Sequence, residues 1–117
     1  MSVSDHIRIA STELMKAADL VKQEMNDLRR QKSDVQRDLE NQIADEMRQM
    51  KQLEAIRRST SDPQQTTQTQ TTITKMQALI AQQQSELKTH QQNIENTLQE
   101  KSSLVSNLEV QARSITS

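Results

Sequence analysis

The sequence predicts an all-α fold, an antiparallel two-helix coiled-coil hairpin that assembles into a four-helix bundle. Three observations predict it. Apolar residues recur at helical spacing in both halves of the 117-residue chain, the single proline follows Asp62 between those halves, and the composition lacks both glycine and aromatic residues. Aromatic side chains bring large buried areas to compact cores, and glycine enables tight turns. A chain without aromatic residues and glycine suits long helices better than a globular interior. Such helices pack along a shared apolar stripe, which we call the seam.

The first predicted helix covers about residues 3–58. Its apolar residues step by three or four along one face, with one interruption at Lys32. Consecutive steps of four at Ala10–Leu14–Ala18 and Val35–Leu39–Ile43 are stutters, which bring the period close to that of a straight helix. Ser2 and Asp5 fit a capping box at its start. The residues predicted to contact the second helix are Ile7, Leu14, Val21, Leu28, Val35, Leu39 and Ile43.

The second predicted helix covers about residues 63–116 and carries an unbroken seven-residue repeat, which is typical of a coiled coil. The repeat consists of Ile73, Ile80, Leu87, Ile94, Lys101, Leu108 and Ile115. All of its members except Lys101 are predicted to contact the first helix. The companion row lies three residues further on and is largely polar: Met76, Gln83, His90, Thr97, Leu104 and Gln111.

The turn is predicted at residues 59–62. Pro63 disfavours helical geometry at Asp62, and the same dipeptide fits a helix start, with Asp62 as N-cap and Pro63 at the first helical position. The alternative is a flexible linker that extends to Thr72. A tight turn is favoured because it gives two helices of nearly equal length.

The register of the hairpin follows from the seven-residue spacing in both halves. In an antiparallel hairpin, the numbers of two residues that face each other add up to a constant, which is twice the number of the residue at the turn. Five apolar-row pairs share one such sum, and it places the turn at residue 61. The pairs are Ile7 with Ile115, Leu14 with Leu108, Val21 with Lys101, Leu28 with Ile94, and Val35 with Leu87. In the middle of the seam this register brings polar groups together: Gln31 and Lys32 near His90 and Gln91, and Asp38 near Gln83 and Gln84.

A second chain is expected to dock near the termini, because a two-helix hairpin covers only one stripe of each helix and is marginally stable alone. The apolar stripe is widest there, where the seam is flanked by Ile9, Met15, Leu20, Val105 and Val110. The predicted partner is a second copy, giving a dimer of hairpins, or another helical protein. Parallel and antiparallel docking of two hairpins both remain open.

The sequence predicts no catalytic, cofactor-binding or metal site. The two histidines, His6 and His90, stand far apart in the sequence, and no Glu-x-x-His pair, glycine-rich phosphate loop or nucleophile elbow occurs. The sequence predicts no nucleic-acid partner, because the net charge is −1 and no aromatic residue is present for base stacking. No apolar run approaches a membrane span and the N-terminus does not resemble a signal peptide, so a cytoplasmic protein without membrane contact is expected.

The expected function is therefore non-enzymatic. The sequence suggests a coiled-coil structural or assembly protein that acts through helix–helix oligomerisation or partner binding. The alternative is an adaptor or holdase-like chaperone that binds clients through an exposed apolar seam.

Overall fold

The computed structural model describes residues 2–116, which form two long α-helices. Helix α1 spans Val3–Ser59 and α2 spans Pro63–Thr116, with residues 60–62 between them. The helices pack against each other, and the described residues contain no strand. The predicted all-α antiparallel hairpin is confirmed.

The start of α1 is fixed by a reciprocal capping box. The Ser2 backbone N–H donates to Asp5 Oδ2 at 3.2 Å, and the Asp5 backbone N–H donates to Ser2 Oγ at 3.2 Å. The Arg8 guanidinium donates to the other carboxylate oxygen, Oδ1, at 2.8 Å. These bonds satisfy donors that the first turn of a helix leaves without intrahelical partners.

The start of α2 is capped by Asp62. Its side-chain Oδ1 accepts the Gln64 backbone N–H at 3.0 Å, and its carbonyl oxygen accepts the Thr66 backbone N–H at 3.0 Å. Pro63 occupies the first helical position, where its missing N–H costs no helical bond. The stretch before Ile73 is therefore helical and does not form the alternative linker.

Removing this cap should lower stability measurably. Asp62→Ala deletes the acceptor for Gln64, and loss of an N-cap costs about 1 kcal/mol. We expect the midpoint of urea unfolding to fall for Asp62→Ala and to change little for Asp62→Asn, because asparagine also caps helices. Equal stability of Asp62→Ala and the unmodified chain would contradict the capping role.

Threonine hydroxyls line the first turns of α2 and bond to their own helix. Each donates to the carbonyl oxygen four residues earlier at 3.0–3.1 Å. The threonines concerned are Thr66, Thr67, Thr71, Thr72 and Thr74. These hydroxyls therefore have hydrogen-bond partners in the same stretch of backbone. The stretch also contacts α1, since the Arg57 guanidinium donates to Gln70 Oε1 and Thr69 is buried.

The contacts divide the chain into two units, each of which contains a segment of both helices. The terminus-bearing unit comprises Met1–Lys32 and Gln92–Ser117, and the turn-bearing unit comprises Ser33–Gln91. The core of the first is a cluster of Ala18, Met25, Ile94, Leu98 and Val105, against which Val21, Leu28 and Leu108 pack. The buried residues of the second are Ile43, Ile73, Ile80, Thr69 and Gln83.

Candidate functional site

The predicted helix–helix interface residues differ in how deeply the structure buries them. Buried members are Ile43, Ile73, Ile80 and Ile94. Half-buried members are Leu14, Val21, Leu28, Val35, Leu39, Leu87 and Leu108. Ile7 and Ile115 differ from the other predicted interface residues because both are exposed. This outermost predicted pair is therefore not buried within the single chain.

The companion row of α2 differs between the two units. In the turn-bearing unit it lies three residues after the seven-residue repeat, as predicted, and consists of Met76, Gln83 and His90, which are buried or half-buried. In the terminus-bearing unit the buried companions lie four residues after the repeat: Leu98, Val105 and Ala112. Of the predicted companions there, Leu104 and Gln111 are exposed and Thr97 is half-buried. The change from a three-residue to a four-residue offset is a stutter in α2.

One hydrogen bond joins α1 to the backbone of α2 near the termini. The Ser11 hydroxyl donates to the Ala112 carbonyl oxygen at 3.1 Å. Ser11 is half-buried whereas Ala10 is exposed, so Ser11 takes the seam position that the predicted stutter assigned to Ala10. The second predicted stutter coincides with the burial pattern, since Val35 and Leu39 are half-buried and Ile43 is buried.

A polar pair lies in the core of the turn-bearing unit. Gln83 is only 7% exposed, and its amide nitrogen donates to Glu46 Oε1 at 3.0 Å. Sequence reasoning placed Asp38 near Gln83 and Gln84. Asp38 is exposed and forms an ion pair with Arg37, and the carboxylate that bonds to Gln83 belongs to Glu46. Glu46 was missed, although it continues the three- and four-residue steps that follow Ile43.

This polar core is incompletely satisfied. Within residues 2–116, the buried atoms Glu46 Oε2, Gln83 Oε1 and His90 Nε2 have no hydrogen-bond partner. A buried polar group without a partner costs about 1–3 kcal/mol. Of these three residues only Gln83 is buried as a whole, and Glu46 and His90 are half-buried.

In the terminus-bearing unit, two rows of side chains flank the seam on one side, and we call their surface the apolar face. The row on α1 consists of Ile7, Ala10, Leu14, Ala17, Val21, Glu24 and Leu28, and the row on α2 consists of Lys101, Leu104, Leu108, Gln111 and Ile115. Each row repeats every three or four residues and so follows one side of its helix. Both rows border the same shallow groove, which shows that they lie on one side of the helix pair. The groove is lined by Glu24, Leu28 and Lys101 of the rows and by Asp27, Gln31 and Thr97 beside them.

The apolar face is poorly covered. Leu104, within the α2 row, is 46% exposed, and Leu20, beside the α1 row, is 60% exposed. Ile7 and Ile115 are exposed at the ends of the two rows. The only charged members of the rows are Glu24 and Lys101, which form an ion pair with 2.7 Å between Lys101 Nζ and Glu24 Oε2.

The opposite side of the same unit carries more charge. It holds the ion pair of Lys22 with Glu109, at 3.2 Å, and that of Lys32 with Glu95, at 3.1 Å. Two adjoining grooves open there, and their lining includes Arg29 and several serine and amide side chains. We call this side the charged face.

The described residues contain no recognisable metal centre or membrane span. No group of three or more His, Asp or Glu side chains among residues 2–116 is arranged to hold a metal ion. Over the same residues, neither helix has an apolar stretch long enough to cross a bilayer. Comparison of the chain with protein-family models, curated proteins and solved structures yields no match.

Proposed function

We propose that this chain is a non-enzymatic coiled-coil assembly protein that acts through helix–helix association. The observation that carries the proposal is the concentration of exposed apolar side chains in the terminus-bearing unit. They are Val3, Ile7, Ile9, Met15, Leu20, Leu104, Val110 and Ile115. Ile7, Leu104 and Ile115 belong to the two rows of the apolar face, and Leu20 lies beside them. Exposed apolar residues concentrated on one surface are typical of sites of protein association.

The narrow core gives independent support. Each unit buries only a few side chains, among them Ala18 and Ala112, which contribute little apolar area. Stability from helix packing increases with the apolar area removed from water, and a two-helix seam removes little. Association with further helices would bury the exposed side chains and stabilise the hairpin.

Light scattering coupled to size exclusion tests this proposal. We expect one discrete oligomer, and a thermal melting midpoint that rises with protein concentration, because association stabilises the folded state by mass action. A monomer at every concentration tested would contradict self-assembly. A broad distribution of sizes that binds a hydrophobic dye would instead favour the holdase-like alternative.

A further inference from the structure

We propose that a second copy of this chain covers the apolar face, and that the two copies are related by a two-fold axis parallel to their helices. In this arrangement α1 of each copy lies against α2 of the other. The terminus-bearing units then form a four-helix bundle whose centre contains both apolar faces. This inference rests on the proposed assembly function and adds the identity of the partner, the docking surface and the orientation.

The placement of charge on the apolar face favours a second copy in this orientation. Glu24 is the only charged member of the α1 row, and Lys101 is the only charged member of the α2 row. The two lie opposite each other within the chain, as their ion pair shows. A two-fold axis parallel to the helices places α1 against the partner's α2 and keeps every residue at the same height along the axis in both copies. Each Glu24 then faces the partner's Lys101 as well as its own, so the face is complementary to itself.

The other two-fold arrangement lacks this complementarity. An axis perpendicular to the helices would place α1 against α1 and α2 against α2. Glu24 would then face either an uncharged residue or a second Glu24, and Lys101 would face either an uncharged residue or a second Lys101. In that arrangement each charge keeps only its ion-pair partner within its own chain and gains no opposite charge from the other copy. The parallel axis adds a second opposite charge to each and is therefore favoured.

The size of the apolar face fits a weak dimer. At 1.5 Å per residue the α1 row from Ile7 to Leu28 is about 30 Å long and the α2 row from Lys101 to Ile115 is about 20 Å long, and each helix is about 10 Å wide. The face therefore covers about 500 Å² on each copy, below the roughly 800 Å² per partner of a standard interface. The charged face is less suitable, because docking there would bury Lys22, Arg29, Glu95 and Glu109.

Mixing two charge-reversed variants tests the arrangement directly. In Glu24→Lys both charged positions of the apolar face become positive, and in Lys101→Glu both become negative. Each variant alone repels its own copy, whereas a mixed dimer restores opposite charges across the interface. If the two variants exchange subunits and pair at random, about half of the dimers are mixed; we call this fraction the statistical share. We expect the mixed fraction to be clearly larger. Native mass spectrometry measures it when one variant carries a tag that changes its mass.

The charged face supplies a matched control. Lys22→Glu and Glu109→Lys change the net charge of the chain by the same amounts, and their side chains form an ion pair on the opposite side of the unit. We expect these two variants to mix at the statistical share. If both mixtures give that share, the apolar face is not the interface in the proposed orientation.

A second variant tests the face without altering its charged pair. Leu20→Glu with Leu104→Glu replaces two exposed side chains, so the hairpin should still fold, which circular dichroism can verify. We expect dimerisation to weaken about tenfold or more. The control is Val110→Glu, which should dimerise as the unmodified chain does, because Val110 is 53% exposed and lies six residues after Leu104, on another side of α2. Undiminished dimerisation of the double variant would overturn the proposed surface.

A monomeric unmodified chain would overturn both this inference and self-assembly, whereas a discrete oligomer insensitive to these changes would overturn only the inference.

Discussion

Replacing Ile94 with aspartate should unfold the terminus-bearing unit. Ile94 is 6% exposed and lies in one apolar cluster with Met25 and Leu98. Truncating a buried aliphatic side chain costs about 2–5 kcal/mol, and burying a carboxylate in apolar surroundings adds to that cost. Small domains are stable by only a few kcal/mol. We therefore expect the thermal melting midpoint, followed by circular dichroism, to fall by roughly 20 °C, or the helical signal to disappear.

The matched control is Ile9→Asp. It introduces the same charge in place of the same residue type in the same unit, but Ile9 is 46% exposed. Substitutions at exposed positions usually change stability by less than about 0.5 kcal/mol. The control should therefore melt within a few degrees of the unmodified chain. Similar melting of the two variants would show that Ile94 does not belong to the core.

Replacing both Glu46 and Gln83 with leucine should stabilise the protein. The pair shares one hydrogen bond, while Glu46 Oε2 and Gln83 Oε1 are buried without a partner among the described residues. Replacing both partners of a hydrogen bond with apolar groups of similar shape can be stabilising, because no polar group is then left unsatisfied. We expect the midpoint of urea unfolding to rise in the double variant.

The single variants complete a double-mutant cycle. Glu46→Leu leaves the Gln83 amide without its acceptor, and Gln83→Leu leaves the Glu46 carboxylate without its donor, so each should be less stable than the double variant. Gln84→Leu is the control, because Gln84 is exposed and adjoins Gln83 in sequence. A double variant less stable than the unmodified chain would mean that the polar pair stabilises the fold.

The fold class could be predicted because its determinants are local. A strict seven-residue apolar repeat specifies the face that α2 turns toward its partner, and the Asp62–Pro63 dipeptide specifies where a helix begins. Both signals are contained within short stretches of sequence. They also lead to the same register, since Ser11 and Ala112 bond to each other between the predicted pairs Ile7–Ile115 and Leu14–Leu108.

The interface was predicted less completely because one seven-residue row does not determine the second row. Leu98, Val105 and Ala112 lie four residues after members of the repeat, whereas the prediction used an offset of three throughout. The signal was present in the sequence, because the four-residue companions near the C-terminus are all apolar and the three-residue companions Thr97 and Gln111 are not. The buried contact of Gln83 with Glu46 depends on the reach of two long side chains, which spacing alone does not reveal.

The polar character of the turn-bearing unit affects the order in which native contacts can form during folding. Bringing together residues close to the turn requires closing only a short loop, so it loses little chain entropy. Those early contacts include Ile73, which is 1% exposed, but also the incompletely satisfied Glu46–Gln83 pair. The apolar cluster of the terminus-bearing unit joins Ala18 to Val105, residues from opposite quarters of the sequence, and must close a long loop. The contacts of this hairpin therefore span a wide range of loop lengths, and the cluster near the termini costs the most chain entropy to form.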